Sequence, residues 1–201
     1  MTVNKVGRPS KARERIAHIL RAMAGVVARD GLANATLSQV ASAAGMQRTL
    51  VLHYFGSRDG LMQAFVNGAV GAYGASMLRA DTEEPVDRRI DAMFEPGAYR
   101  SREELVIWIE LVALGARDAT VRERLCALWT EQWLPELERQ LNTEYPSANA
   151  DDVARAAYAL ACLFEAHWAF HLQGITGADR QRQVQHAART IVATLSGACS
   201  P

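Results

Sequence analysis

The chain has 201 residues, 49% of them hydrophobic, which suits one large domain or a small module joined to a larger one with a real core. No apolar run approaches the ~18 residues that span a bilayer, and the opening residues Met1 to Ser10 lack the apolar stretch of a signal peptide, so the chain reads as cytoplasmic with no membrane partner. A net charge of zero hides a division: residues 1–60 carry nine Lys and Arg against three Asp and Glu, and the remaining 13 basic and 19 acidic residues reverse the sign. A basic head on an acidic body fits a nucleic-acid-binding module attached to a body that avoids phosphate. Cys126, Cys162 and Cys199 are odd in number and far apart, with no C-x-x-C spacing, so neither a disulfide framework nor a zinc site is implied. Two of them are expected to be packing residues.

Helix signals dominate from Ser10 onward, and no segment reads as a strand. Ser10 to Asp30 repeats apolar residues at Ile16, Ile19, Leu20, Met23 and Val27 between basic ones, and Gly31 closes it. Thr36-Leu-Ser-Gln39 is a capping box, opening a second helix through Val40, Ala41 and Ala44. Gly45 supplies a left-handed residue for a sharp turn into a third helix, Gln47 to Phe55. Gly56-Ser57 ends that helix, and Ser57 can cap a fourth running to about Leu78. Pro85 opens a short helix to about Phe94, broken by Pro96-Gly97. Ser101 to Leu114, Thr120 to Tyr145, Asn149 to Gln173 and Ala178 to Leu195 complete nine helices, and Pro135 should kink or divide the one it falls in.

Two short helices joined at Gly45 fit a helix-turn-helix, in which the second helix enters a major groove. Met46, Val51 and Phe55 would hold that helix to the core, while Gln47, Arg48, Thr49, His53 and Tyr54 would meet DNA. Spacing alone leaves open a helical hairpin at the protein surface. Ahead of the first helix, Lys5, Gly7-Arg8-Pro9, Lys11, Arg13 and Arg15 could form a basic arm that places Arg8 in the minor groove.

Thr36-Leu-Ser-Gln-Val-Ala, Ala44-Gly45 and His53-Tyr-Phe-Gly-Ser-Arg-Asp-Gly-Leu61 resemble the signature of TetR-type transcriptional regulators over about residues 10–62. More loosely, Leu163-Phe-Glu-Ala-His-Trp168 resembles the L-x-D-G-L-W pattern of the BetI-like branch. The resemblance implies an all-α, homodimeric, ligand-responsive repressor that binds double-stranded operator DNA and is not an enzyme. Its parts would be a basic arm at 1–9, a three-helix helix-turn-helix DNA-binding domain at 10–56, and a helical ligand-binding and dimerisation domain at 57–201. Carried over, Thr36 and Ser38 would approach phosphate, Gln47, Arg48 and Thr49 would occupy base-reading and phosphate positions, His53 and Tyr54 would contact backbone or base, and Arg58 would grip phosphate. Leu52 stands where the family often has Tyr, and can contact only a thymine methyl.

Aromatic residues concentrate in the body at Trp108, Trp129, Trp133, Tyr158, Phe164 and Trp168. On the Asn149 to Gln173 helix, Ala154, Tyr158, Ala161, Glu165, Trp168 and Leu172 share one face, which puts a carboxylate in an apolar stripe. That carboxylate needs a partner: an arginine such as Arg117 or Arg155, or a small-molecule effector of cationic or aromatic character. Trp108, Trp129, Trp133, Tyr158, Glu165 and Trp168 are the candidate ligand contacts. His167 and His171 share a face but lie roughly opposite Glu165, so no metal or other cofactor is expected. Their face, with Leu160, Leu163 and Phe164, would pair with Val184, Ala188, Ile191, Val192 and Leu195 of the last helix to make a four-helix dimer seam. G-x-S-x-G, a Gly-rich phosphate loop and a clustered acid pair are all missing from the sequence, which weighs against an enzyme. A helical adaptor would not need the basic head.

Overall fold

The computed structural model describes residues 10–78, 84–99 and 101–197. Lys5, Gly7, Arg8, Pro9 and Cys199 lie outside them, whereas Lys11, Arg13 and Arg15 of the expected basic arm belong to the helix that starts at Ser10. The described residues are helical with no strand. Two compact units divide within one helix, between Ala69 and Val70; the sequence places the boundary at residue 57.

The first unit holds α1 (Ser10–Asp30), α2 (Leu37–Ala43), α3 (Arg48–Phe55) and the start of α4 (Arg58–Leu78). Gly31 ends α1 at φ 81°, and a short 3-10 turn over Leu32–Asn34, which the sequence does not announce, leads into Thr36. Thr36 accepts from the Gln39 amide, and the Gln39 side chain accepts from the Thr36 amide, so the capping box forms as its residues imply. Gly45 takes φ 61°, the left-handed value that the turn into α3 requires. Ile19, Met23, Val26 and Val27 of α1, Leu37, Val40 and Ala41 of α2, Val51 of α3, and Leu61 and Phe65 of α4 form the buried apolar set of this unit. The angle between α3 and α4 rests on Gly60: a Cβ there would stand 2.1 Å from the Phe55 carbonyl oxygen.

The second unit contains the end of α4, α5 (Val86–Phe94), α6 (Arg102–Gly115), α7 (Ala119–Ala127), α8 (Leu134–Glu144), α9 (Ala150–Leu172) and α10 (Ala178–Ser196). Its centre is α9, which packs on α5, α6, α8 and α10. Leu160, Phe164 and Trp168 of α9 meet Ile90 and Phe94 of α5, Leu137 and Leu141 of α8, and Ala188, Val192 and Leu195 of α10 in one buried cluster. The helix around Pro135 is neither broken nor cleanly divided. A π-helical turn, Leu128–Trp133, bridges α7 and α8 and puts Pro135 in the first turn of α8, where its missing N–H is tolerated. Cys126 and Cys162 are both exposed, which corrects their expected role in packing. Among the described residues no helix is long and apolar enough to cross a membrane.

Candidate DNA-reading surface and effector site

The exposed face of the first unit is built from the start of α2 and one side of α3. Val51 is fully buried where α3 packs on α2, which turns Arg48, Thr49 and His53 outward and leaves Leu52 and Tyr54 half-buried. At ~100° per residue, Arg48, Thr49, Leu52 and His53 cover one side of the helix. Gln47 caps α3 through its backbone alone, so the first-turn amides stay open to solvent or phosphate. Thr36 and Ser38 at the start of α2 and Arg58 at the start of α4 are exposed as well. Met46 and Phe55, expected to anchor α3, are only half-buried.

Two long-range hydrogen bonds that the sequence does not reveal brace this surface. A His18 ring nitrogen lies 2.9 Å from the Ala44 carbonyl oxygen and, as the donor, ties α1 to the turn. Arg15 Nη1 donates to the Tyr54 hydroxyl at 3.3 Å, and the His53 and Tyr54 rings meet edge to face at 5.3 Å. Tyr54 is therefore held by α1 as well as by its own helix.

In the second unit the half-buried Glu165 is the focus of an aromatic cluster. Trp108 Nε1 donates to it at 2.9 Å from Oε2 and 3.1 Å from Oε1, and the Tyr73 hydroxyl donates to Oε1 at 2.9 Å. The Tyr99 hydroxyl donates in turn to the Tyr73 oxygen at 3.3 Å. Tyr73 stacks on Trp108 at 3.6 Å, and rings continue outward from there: Trp108 to Trp129 at 6.4 Å, Trp129 to Trp133 at 4.8 Å, Trp133 to Phe164 at 5.8 Å, and Tyr99 to Trp168 at 5.2 Å. Trp168 is itself fixed by donating Nε1 to the Met93 carbonyl at 3.1 Å.

Burial raises the Glu165 pKa, opposed by the hydrogen bonds from Trp108 and Tyr73. The Tyr73 and Tyr99 hydroxyls are also pushed up, chiefly by burial, so both remain donors. Among the described residues no Lys or Arg forms an ion pair with Glu165; Arg155 instead pairs with Asp152 on its own helix. The partners of Glu165 among the described residues are neutral. A carboxylate flanked by ring faces offers a cation both charge attraction and the rings' negative quadrupole.

Of the candidate ligand contacts, Trp108, Trp129, Trp133, Glu165 and Trp168 come together in this cluster. Tyr158 does not: it is 64% exposed. It shares a helical angle with Glu165 but lies two turns away, about 10 Å along the axis, where none of its neighbours covers it. Tyr73 and Tyr99, which complete the cluster, are missing from the sequence-based set because neither belongs to an aromatic stripe.

The expected dimer seam also needs correction. Leu160, Phe164, Ala188, Val192 and Leu195 are at most 2% exposed, consumed by packing within one chain. Leu163, Val184 and Ile191 pack partly against the same core. His167 rests edge to face on Phe94, and His171 lies 5.2 Å from Trp168. His167 is held below the ordinary imidazole range, first by burial and then by the nearby His171. The exposed side of α9 carries Tyr158, Cys162, Ala166 and Phe170, four apart, with Phe170 51% exposed.

An α2–turn–α3 unit with an exposed, partly basic α3, in a chain that also holds a helical unit with its own polar-centred aromatic cluster, has the arrangement of a helix-turn-helix. Residues 19–65 match the bacterial regulatory proteins of the tetR family. The chain is 26% identical over 140 residues to the HTH-type transcriptional regulator BetI of Rhizobium meliloti strain 1021, covering 67% of this chain and 68% of that one. A protein of Pseudomonas aeruginosa PAO1, described as a transcriptional regulator, has the same fold with a TM-score of 0.75 at 19% identity, over 94% of this chain and 93% of its own. Another so described, from Saccharomonospora viridis and solved in complex with choline, superposes with a TM-score of 0.68 at 20% identity, over 90% and 96% of the two chains. The chain is thus similar to tetR-type transcriptional regulators, and the family match falls on its helix-turn-helix region.

Glu165→Gln tests whether the carboxylate is part of the scaffold. The amide carbonyl can accept from Trp108 and its NH2 can donate to the Tyr73 oxygen, so the shape persists while a desolvated charge is removed. Because folding raises this carboxyl's pKa, its contribution to stability is full below the ordinary carboxylate range and falls as pH rises through the raised value. The variant should lack that fall and melt at or slightly above the wild-type temperature at pH 7. A melting point several degrees lower would assign Glu165 to the scaffold.

Proposed function

We propose that the protein acts in the cytoplasm as a homodimeric repressor that binds an inverted-repeat operator and is released by a small organic cation. The observation that carries the effector reading is Glu165, a desolvated carboxylate that among the described residues is held by neutral donors and surrounded by aromatic faces. A structural ion pair would supply an arginine, and a purely structural polar group would not need a charge at the centre of so many rings. The choline found with the Saccharomonospora viridis protein supports the same class, an alkylated ammonium ion. Trp108, Trp129, Trp133 and Trp168, with Tyr73 and Tyr99, would form the remaining walls.

For DNA, Gln47, Arg48, Thr49 and His53 would face base edges and phosphates, and Leu52 would contact a thymine methyl. Thr36, Ser38, Tyr54 and Arg58 would set the position of the helix on the backbone. Residues 10–56 are the proposed DNA-binding domain and 57–201 the regulatory and dimerisation domain. Arg58 and Tyr73 both belong to α4. An effector that alters the Tyr73–Glu165 contact would act on the helix that also bears Arg58.

The dimer seam is proposed on the outward side of α9. Tyr158, Cys162, Ala166 and Phe170 form an exposed stripe of apolar and weakly polar residues on a long helix, beside exposed Thr190 and Ala193 of α10. A two-fold dimer through this stripe gives two reading helices to one operator.

Fragments selected from random duplexes by the purified protein should contain inverted repeats whose half-site centres are about 34 Å apart or a near multiple. On the selected site, Arg58→Ala should weaken binding to every sequence and flatten the salt dependence, whereas Arg48→Ala should also relax preference at one or two base pairs. Fragments without dyad symmetry, or identical losses on all sequences for both variants, would contradict the assignment.

Phe170→Glu places a charge on the proposed seam at a position the monomer leaves exposed. It should fold with an unchanged melting profile at low concentration yet sediment as a monomer and bind the operator at least tenfold more weakly. A dimeric Phe170→Glu protein would move the seam elsewhere.

A further inference from the structure

Three tryptophan rings in the second unit are almost fully buried, and two of them place their indole N–H on the protein itself: Trp108 on Glu165 and Trp168 on the Met93 carbonyl. The third does not. Trp133 is 2% exposed, and its Nε1, enclosed by the protein, has no hydrogen-bond partner. Buried indole donors are normally satisfied, because leaving one unpaired forfeits the full cost of taking it out of water. Nothing in the local sequence forces this on the chain. Trp133 ends the π-helical turn Leu128–Trp133, an element that recurs at functional sites, and that turn brings Trp129 and Trp133 into edge-to-face contact at 4.8 Å. Trp129 and Phe164 connect it to the cluster around Glu165.

Resting on the cation reading above, we infer that Trp133 Nε1 is a specificity-determining donor for a neutral oxygen on the effector, so that the ligand is an alkylated ammonium bearing a hydroxyl or carbonyl oxygen. The neutrality of that oxygen follows from the charges present. Glu165 already brings one negative charge into a desolvated cluster, and among the described residues no Lys or Arg pairs with it, so a ligand carboxylate would add a second anion to that cluster. An alkyl group in place of the oxygen would leave the indole donor orphaned in the complex, which is the arrangement by which polar sites reject isosteres.

Calorimetric titration with three probes tests this: choline, its deoxy isostere n-propyltrimethylammonium, and glycine betaine, in which a carboxylate replaces the hydroxymethyl group. The wild-type protein should bind choline about tenfold or more tightly than the isostere, the value of one hydrogen bond, and betaine more weakly than choline. Trp133→Phe should bind choline and the isostere equally, with the isostere's affinity unchanged. In 15N-labelled wild-type protein, one of the four indole N–H resonances should move downfield with choline and not with the isostere; this readout needs no variant, should Trp133→Phe fail to fold. Equal affinity of the wild-type protein for choline and the isostere, discrimination that survives in Trp133→Phe, or preference for betaine would overturn the inference while leaving an ammonium effector in place. Binding of none of the three would remove the cation reading itself, and this inference with it.

Discussion

The regulatory unit is organised around the difficulty of placing one carboxylate among aromatic rings. Glu165 is attached to α9, the helix that α5, α6, α8 and α10 pack against, and its two oxygens are met by α4 through Tyr73 and by α6 through Trp108. Three helices are thereby registered on one charged group. Because the donors are neutral, the desolvation of that charge is only partly offset, and the fold holds the carboxyl in a state that a cation would relieve. The hydrogen bond that orients Tyr73 is also the one that a ligand at Glu165 would perturb.

The reading head works by a different economy, since its geometry is local. The capping box at Thr36, the left-handed Gly45 and the tight approach of Gly60 to the Phe55 carbonyl fix three consecutive helices with short-range devices, and buried Val51 orients α3. The His18 and Arg15 hydrogen bonds add ties from α1 to the turn and to Tyr54. A head built this way is rigid without using the exposed polar side chains of α3, which leaves them available for DNA.

That contrast explains what was legible in the sequence. Caps, turns and helix lengths are set by residues within a few positions of each other, so the helices of the head and most of those of the body could be read with their ends nearly correct. The short turn at Leu32–Asn34 carried no such signal, and the π turn was masked by Pro135, which announces a disruption but not its form. Periodicity identified the apolar face of α9 with Leu160 and Phe164, yet a face that is apolar is apolar whether it meets its own core or a second subunit; here it meets its own α5, α8 and α10. The same limit misplaced Tyr158, whose helical angle matches Glu165 but whose level along the helix lies beyond the packed region. Tyr73 reaches Glu165 across 92 positions of chain and Tyr99 reaches Tyr73 across 26, proximities that only the tertiary fold creates.

The central claim is that Glu165 reads a cation and that its occupation is felt at the operator. The most direct measurement is the fluorescence anisotropy of a selected operator duplex titrated with choline in the presence of wild-type and Glu165→Gln protein. Wild-type protein should release the duplex as choline rises, while Glu165→Gln should bind the same duplex with the same affinity and hold it throughout. Release of both proteins at the same choline concentration would contradict the account, because the charge at Glu165 would then play no part in sensing.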